Sequence, residues 1–235
     1  MGNRVQKYEN TGLWHELSLC VANFLYSLTN GSRSLEDPHI KALGMDAVTK
    51  FLQTYLPDNP TDPDTLALLR AHAQEMQVSR RTTLVEAGHT HPYVYFILTG
   101  AARSYVWYEG EMVNTWFAFE QELVGSIQSL DQAPAKESIE AMEDLTLLRL
   151  DLRQLAKAMV TSLPVALLVN NVLMEYVRFL EEKSTVMQHY TAEQRYAHLL
   201  VREPMVAQRI SITHIASYLG VSRETLSRIR GKKLL

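Results

Sequence analysis

The sequence has 235 residues, of which 46% are hydrophobic and 21% charged, and its formal net charge is −3. This length suits one large domain or two smaller ones with an ample core, and the composition is that of a soluble globular protein. No apolar run approaches the roughly 18 residues of a membrane-spanning helix, and the N-terminus lacks the apolar stretch of a secretory signal. The single cysteine, Cys20, excludes an internal disulfide and a cysteine-based metal site. We expect a cytoplasmic protein without a membrane partner.

The net charge hides an asymmetry along the chain. From Met205 onward the sequence has six basic residues against Glu224 alone, which gives +5 and leaves −8 on the preceding 204 residues. A basic module on an acidic body is typical of nucleic-acid-binding proteins, although a solvated basic tail has the same charge. Charge alone therefore does not decide between the two.

Helical periodicity dominates the first 75 residues. Apolar residues recur about once a turn over residues 13–28, and a second helix is predicted from near Met45 to the prolines that begin at Pro57. Asp64 is predicted to cap a short helix over residues 65–75. We treat residues 1–44 as an N-terminal helical extension, which could dock a partner or lie against the rest of the chain.

Residues 80–150 predict a compact β-structure. Short segments rich in β-branched and aromatic residues, such as YVYFILTG and MVNTWFAF, end near glycines or acidic turns. Gly88, Gly100, Gly110 and Gly125 recur at intervals of 10 to 15 residues, which is typical of hairpins. About eight strands in this range predict a jelly-roll-like barrel, called the β-roll below.

A long helix is predicted over residues 164–188, because Pro164 suits a first helical turn and apolar residues then recur for about six turns. Its apolar side has more surface than a small β-roll can cover, so we expect it to pair with a second copy of the chain. Packing within one chain is the alternative. The residues predicted for this dimer helix are Val165, Val169, Val172, Tyr176 and Phe179, with Val172 and Phe179 close to the partner helix.

The segment ITHIASYLGVSRETLSRIRGKKLL, residues 212–235, predicts a helix-turn-helix. The apolar face of its first helix is formed by Ile212, Ile215, Ala216 and Leu219. Gly220 supplies the turn, Val221 is expected as a buried anchor, and Ser222 caps the second helix. That helix buries Leu226 and Ile229 and exposes a polar, basic face, which fits the major groove of DNA.

The exposed face of this second helix has the chemistry of base recognition. Arginine can donate two parallel hydrogen bonds to guanine, and glutamate accepts from cytosine. We predict that Arg223, Glu224 and Arg228 contact base edges, whereas Arg209, Lys232 and Lys233 mainly contact phosphates. A surface helix with salt bridges is the alternative. The full set of predicted DNA-binding residues is Ser222, Arg223, Glu224, Thr225, Ser227, Arg228, Arg230, Lys232, Lys233 and Arg209.

The stretch IASYLGVSRETLSRIR resembles the helix-turn-helix of the Crp/Fnr superfamily of bacterial transcription regulators. The upstream order of β-roll and long helix is also similar, over about residues 45–235. In the cyclic-AMP receptor branch, a Ser-Arg-Glu-Thr start and an Arg one turn later contact the operator, and these match residues 222–225 and Arg228. The resemblance implies an α+β fold and a homodimer on double-stranded DNA, with the β-roll as sensor. RNA polymerase is a candidate further partner.

The predicted organisation has four parts. The extension over residues 1–44 is followed by a β-roll sensor domain with flanking helices over 45–160. A dimerisation helix over residues 161–188 leads to the DNA-binding domain over 189–235. Because the sequence stops at Leu235, we expect the helix-turn-helix to lack the β-wing that often follows it in the family.

The cyclic-nucleotide binders of the family share a phosphate cassette, in which Gly-Glu-Leu holds the ribose and Arg followed by Ser or Thr holds the phosphate. The nearest counterpart here is ELVGSIQSLDQAPAKES, in which Ser126 follows Gly125 and only Lys136 lies near the place of the Arg. A buried phosphate without a bidentate cation is costly, so we predict weak or no binding of cyclic AMP. The pocket then holds an unknown small-molecule effector or is an empty relic. The effector-pocket candidates are Glu122, Leu123, Gly125, Ser126, Lys136 and Ser138.

A metalloenzyme is the weaker alternative. His89 and His91 resemble the His-x-His pair of metal-binding cupins, but the places of the next ligand hold Tyr95 and Phe96. Two ligands do not make a stable metal site, so we predict no catalytic residue, no metal and no cofactor. A haem or cyclic-nucleotide sensor and a pure protein-interaction module are the other alternative functions for the β-roll.

Overall fold

The computed structural model describes residues 46–60 and 62–231. The expected helix over residues 13–28 and the predicted phosphate contacts of Lys232 and Lys233 lie outside the described residues.

Two short helices precede the β-roll, α1 over Ala47–Tyr55 and α2 over Pro63–His72. Asp46 caps α1 by accepting a hydrogen bond from the Thr49 amide at 3.0 Å. The cap of α2 is Asp62, which accepts from the Thr65 amide at 2.9 Å, so the expectation that Asp64 is the cap is wrong. The helix also ends earlier than expected, because the chain enters the first strand at residue 73.

Eight strands form two antiparallel sheets of four strands each. They are β1 (Ala73–Val78), β2 (Thr83–Val85), β3 (Tyr93–Thr99), β4 (Ala102–Tyr108), β5 (Glu111–Ala118), β6 (Leu123–Val124), β7 (Ser138–Ala141) and β8 (Leu145–Asp151). The strand order is β1-β8-β3-β6 in the first sheet and β2-β7-β4-β5 in the second. The predicted α+β class and the β-roll of about eight strands are confirmed.

The first sheet lies between two hydrophobic cores, because successive side chains of β3 and β8 point alternately to its two faces. Phe96 and Leu148 face α1 and the later helices, whereas Ile97 and Leu147 face the second sheet. Successive side chains of a strand point to opposite faces, so a strand covered on both sides is apolar throughout. This explains the continuous apolar runs YVYFIL and LTLL.

Six helices follow the β-roll, which itself contains a 3-10 turn over Ile127–Asp131. They are α3 (Leu152–Met159), the long α4 (Leu163–His189), α5 (Ala192–Arg202), α6 (Val206–Arg209), α7 (Ile212–Leu219) and a last helix, α8 (Arg223–Gly231), which makes six in total. The predicted long helix over residues 164–188 is confirmed to within one residue at each end. Ser162 caps it, and Pro164 lies in its first turn.

The long helix α4 has an inner and an outer face. Val165 is fully buried, and Val172 packs against the core that joins α1, α3 and the first sheet. The dimer prediction for Val165 needs correction, because this side chain packs inside its own chain, whereas the half-buried Val172 stays a predicted dimer residue. The outer face exposes Leu163, Met174 and Val177.

One 18-residue window of α4 has a mean hydropathy of 1.4 and is long and apolar enough to cross a membrane, with 11% of its residues buried. The expectation that no segment reaches this length is therefore corrected. Length and composition are weak evidence for a membrane span, and the inner face of α4 packs on the β-roll.

Candidate DNA-binding surface and effector groove

Helices α7 and α8 form the predicted helix-turn-helix. Gly220 ends α7 in the left-handed region, with φ of 67°, which glycine adopts with little strain. The Val221 amide then donates to the Ala216 carbonyl at 3.0 Å and closes the turn. Ser222 caps α8 by accepting from the Thr225 amide at 3.1 Å. Val221 is half-buried rather than fully buried as expected.

The outer side of α8 is open to solvent. Leu226 and Ile229 are buried against α7, so the remaining positions face outward. The exposed residues among the predicted DNA contacts are Ser222, Arg223, Glu224, Ser227, Arg228 and Arg230, while Thr225 is half-buried. Three arginines against one glutamate make this face cationic, which is the charge that a surface for DNA needs.

The helix-turn-helix docks on the edge of the second sheet. The Asn114 amide of β5 donates to the Ser217 hydroxyl at 3.0 Å, and that hydroxyl donates to the Met112 carbonyl at 3.1 Å. β5 is the last strand of its sheet, so α7 covers an edge that would otherwise expose unpaired backbone groups. The Ser217 hydroxyl thus satisfies two backbone groups of β5 that a neighbouring strand would otherwise bond.

Arg103 lies beneath this junction and is only 6% exposed. Its guanidinium donates to the Asn114 side-chain oxygen at 3.1 Å and lies 3.5 Å from the Glu140 carboxylate. It also lies 3.1 Å from Nδ1 of His214 in α7. A buried charge needs such partners, so this cluster fixes the side chain firmly.

Arg209 forms the second polar contact between the β-roll and helices α5–α8, which form the candidate DNA-binding unit. Its guanidinium donates to both carboxylate oxygens of Glu120, at 2.7 and 3.0 Å, and to Glu143 at 3.0 and 2.5 Å. The side chain is 16% exposed. The predicted phosphate contact of Arg209 therefore requires that these ion pairs open first.

A groove of about 500 Å³ lies between α4 and the β-roll. Aromatic and aliphatic side chains dominate its walls, among them Val94, Trp116, Tyr176, Phe179 and Tyr218. The groove therefore has room and apolar surface for a small organic molecule. The contribution of α1 and α5 to the groove could not be predicted, because these segments are distant from the cassette along the chain.

The effector-pocket candidates divide into two groups in the structure. Four of them line the groove, namely Glu122, Leu123, Gly125 and Ser126. Lys136 is exposed, and the buried Ser138 hydroxyl accepts from the Ala87 amide at 3.1 Å, so neither is among the residues that line the groove. At Gly125 an added Cβ would lie 2.6 Å from a methyl carbon of Val94, so the backbone approach there needs glycine.

The charge near the cassette is negative. The Glu137 carboxylate accepts hydrogen bonds from the hydroxyls of Ser104 and of Thr115, the latter at 3.1 Å. Two hydroxyls that could donate to an anionic ligand are thus occupied by a carboxylate. Lys183 of α4 donates to the Thr115 carbonyl at 2.5 Å, and burial lowers the pKa of its amine.

Two of the other cations beside the groove, Arg195 and Arg202, are also engaged. Arg195 donates to the Leu219 carbonyl at 2.7 Å, and Arg202 pairs with Glu182 at 3.1 Å. Among the described residues, no three histidine, cysteine or acidic side chains converge to hold a metal ion. The geometry therefore favours a ligand with a large apolar part over a small polyanion.

Known proteins share both the sequence pattern of the β-roll and the overall fold. The sequence profile of the cyclic nucleotide-binding domain family matches residues 75–162. No curated protein sequence matches the chain. FixK2 from Bradyrhizobium japonicum is a similar solved structure, at 23% identity and a TM-score of 0.59 over 68% of this chain and 83% of that one. A putative transcriptional regulator of the Crp/Fnr family from Eubacterium rectale is similar at 18% identity and a TM-score of 0.57, over 75% and 85% of the two chains.

The chain has the Crp/Fnr fold. The regulator CLP of Xanthomonas campestris, described as responsive to c-di-GMP, has the same fold at 18% identity and a TM-score of 0.58, over 73% of this chain and 91% of that one. CLP and the Eubacterium rectale protein are described as regulators rather than enzymes. The resemblance predicted from the helix-turn-helix is thereby confirmed at the level of the fold and of a cyclic nucleotide-binding domain.

The outer face of α4 has the pattern of a coiled-coil seam within this Crp/Fnr fold. Leu163, Leu167, Met174 and Val177 are exposed and follow spacings of three, four and seven residues. Asn170 occupies the intervening position of the seam and is exposed as well. An apolar seam with this spacing is typical of a helix that packs along another helix.

Proposed function

We propose that this protein is a homodimeric, sequence-specific DNA-binding transcription regulator of the Crp/Fnr type. The observation that carries the proposal is α8, an N-capped helix that exposes Arg223, Glu224 and Arg228 while its apolar side is buried against α7. Such a helix supplies the donors and acceptors that distinguish base pairs in the major groove. The similar Crp/Fnr structures support it. A bacterial cytoplasmic setting and RNA polymerase as a further partner belong to the same proposal.

The dimer is proposed to form through the outer face of α4. Two parallel copies would bury the Leu167, Met174 and Val177 side chains that one chain leaves exposed. Asn170 would face its counterpart across this interface. A two-fold dimer presents two copies of α8 to half-sites about one helical turn, roughly 34 Å, apart.

The β-roll is proposed as the sensor, with the α4 groove as its effector site. The cyclic-nucleotide site is degenerate in this proposal, because Glu137 lies where the family has a phosphate-binding hydroxyl and Ser126 lies where it has an acid. An effector with an apolar body fits the walls of the groove better than a cyclic nucleotide does.

Genomic footprinting with the purified full-length protein tests this proposal. We expect discrete protected sites with two-fold symmetric halves, and we expect cell metabolite extract to change their occupancy if the sensor is functional. A ligand-binding or protein-interaction module without regulatory function would protect no discrete site under either condition. That outcome would refute the regulator and leave the β-roll as a binding module.

A further inference from the structure

The turn formed by residues 119–122, between β5 and β6, reaches both the effector groove and the DNA-binding unit. Gln121 has a positive φ of 69°, and its amide donates to the Ile97 carbonyl at 2.8 Å. The Ile97 amide returns a hydrogen bond to the Glu122 carbonyl at 3.0 Å. The second half of the turn is thus held on β3, and the side chains of the turn point to two different places.

Glu122 is the residue of the turn that faces the effector groove. Its carboxylate lines the groove and accepts a hydrogen bond from the Phe119 amide at 2.7 Å. Burial raises the pKa of Glu122 to about 7, and the negative charges of Glu203, Glu175 and Glu120 add to this rise, while the Phe119 amide opposes it. The Glu122 carboxyl is therefore sensitive to any charge or hydrogen-bond donor that enters the groove.

The other side of the turn holds the DNA-binding unit. The Phe119 ring is 6% exposed and belongs to the core of the helix-turn-helix, together with Leu219 and Ile215. The Arg209 guanidinium carbon lies 5.1 Å from the centre of that ring. Glu120 accepts both the Arg209 hydrogen bonds and one from the Gly100 amide at 2.8 Å.

We infer that this turn couples the effector groove to the position of the helix-turn-helix, with Glu120 and Glu122 as positioning residues. Phe119 is the link, because its amide is held by Glu122 while its ring lies in the core of the DNA-binding unit. A ligand that draws the Glu122 carboxylate into the groove leaves the Phe119 amide without its acceptor. A buried amide without an acceptor is costly, so Phe119 must move and take the Arg209 contact with it.

This inference rests on the proposed function only for its consequence on DNA, since the coupling itself is internal to the chain. Hydrogen–deuterium exchange of the full-length protein without DNA therefore tests it. The readout is the protection of α7 and α8 amides relative to β8 amides, which serve as an internal reference for global stability. A failure to bind DNA would refute the proposed function and leave this readout unchanged.

The first experiment is a double-mutant cycle of Glu122→Ala and Arg209→Ala. We expect each single variant to lower protection in α7 and α8 by roughly tenfold, and the double variant to lower it little further, because both act on one link. Arg178→Ala is the control, since Arg178 also borders the groove but lies on α4 and is not among the charges that act on Glu122. Unchanged protection in Glu122→Ala, or independent effects in the double variant, would overturn the inference.

The second experiment keeps the test valid if Glu122→Ala does not fold. Glu122→Gln retains an acceptor for the Phe119 amide but cannot ionise. A neutral carboxyl is a weaker acceptor than a carboxylate, so we expect wild-type protection of α7 and α8 to fall relative to Glu122→Gln as the pH drops through about 7, while His214 contributes alike in both proteins. Identical pH profiles of the two proteins would contradict the coupling, because a purely structural role of Glu122 predicts no such difference.

Discussion

Arg103 of the β-roll and His214 of α7 meet at 3.1 Å between the guanidinium Nη1 and the imidazole Nδ1. Arginine only donates, so Nδ1 must accept, and the imidazole is neutral with its proton on Nε2. Burial and then the Arg103 charge lower the pKa of His214, while the Glu140 carboxylate opposes them. A proton on Nδ1 would place two donors against each other and break this contact.

We expect the free energy of unfolding to fall in acid, because protonation of His214 breaks its contact with Arg103. The unfolded histidine takes up a proton near pH 6.5, whereas the docked imidazole resists it. The stabilising contribution is therefore present above about pH 6.5, declines below it and levels off below the folded pKa. Thermal unfolding from about pH 7.5 to pH 5 measures it, with His214→Gln as the variant that cannot be charged.

The difference in unfolding free energy between wild type and His214→Gln separates the effect of this histidine from that of Glu122. The two groups change stability with pH in opposite directions. A carboxyl with a raised folded pKa stabilises the protein below that pKa, so Glu122 alone would make acid stabilising. We expect wild type to lose stability relative to His214→Gln as the pH falls. Parallel profiles of the two proteins would show that the Arg103 contact does not depend on the charge of His214.

The dimer is expected to depend on the outer face of α4. Replacing Met174 and Val177 together with Asp places charges in the proposed seam, so sedimentation should show monomers at roughly micromolar concentration, where the wild type is dimeric. Val201→Asp is the matched control, because Val201 is 81% exposed but lies on α5. A monomeric wild type, or a dimeric seam variant, would contradict the proposal.

A substitution on the inner face should act differently. Val172→Asp puts a charge into the core beside α1, so it should lower the free energy of unfolding by about 2–5 kcal/mol in chemical denaturation. Loss of the dimer in this variant would then follow from loss of the fold. The unfolding free energy therefore distinguishes the Met174 and Val177 double variant, which should stay folded, from Val172→Asp, which should lose stability.

Local signals in the sequence were enough to predict the helix-turn-helix. Gly220, Ser222 and the apolar spacing of Leu226 and Ile229 act over a few residues, and each has its expected place in the structure. Strand β1 was missed because AQEMQV has little β-branched character and is held by its antiparallel pairing with β8, about 70 residues later.

The face of α4 that meets a partner could not be predicted from its apolar residues alone. The helix is apolar on two sides, and periodicity does not show which side the β-roll covers. The ion pairs of Arg209 could not be predicted either, because Glu120 and Glu143 lie 89 and 66 positions before it in the sequence. An exposed basic residue and a buried ion-paired one look the same in a sequence.

Cyclic AMP is expected to bind weakly or not at all. The phosphate would meet the Glu137 carboxylate, which already takes the Ser104 and Thr115 hydroxyls, and the neighbouring Lys136 is exposed rather than directed into the groove. Calorimetry should therefore show no binding tighter than about 1 μM, which corresponds to about 8 kcal/mol. Tight binding would refute the prediction, as would a crystal structure with the nucleotide beside Ser126.

Arg223→Ala should change which DNA sequence is preferred. Arg223 lies in the first turn after the Ser222 cap, where recognition helices contact bases, and its side chain is exposed. We expect a loss of about 1–3 kcal/mol per half-site and a relaxed preference at one base position. Arg80→Ala is the control, because Arg80 is an exposed arginine of the β-roll and should leave both affinity and preference unchanged.

Lys232→Ala should weaken binding in a different way. We predict that this lysine contacts a phosphate beyond the end of α8, so its loss should lower affinity for all sequences alike and reduce the salt slope by about one unit. Titrations of the preferred and a scrambled operator at several salt concentrations separate the two roles. If Arg223→Ala lowers affinity equally for both operators, its contact is with the backbone rather than with a base. If neither Arg223→Ala nor Arg228→Ala changes binding, α8 is not the recognition helix, and the proposed regulator fails with it.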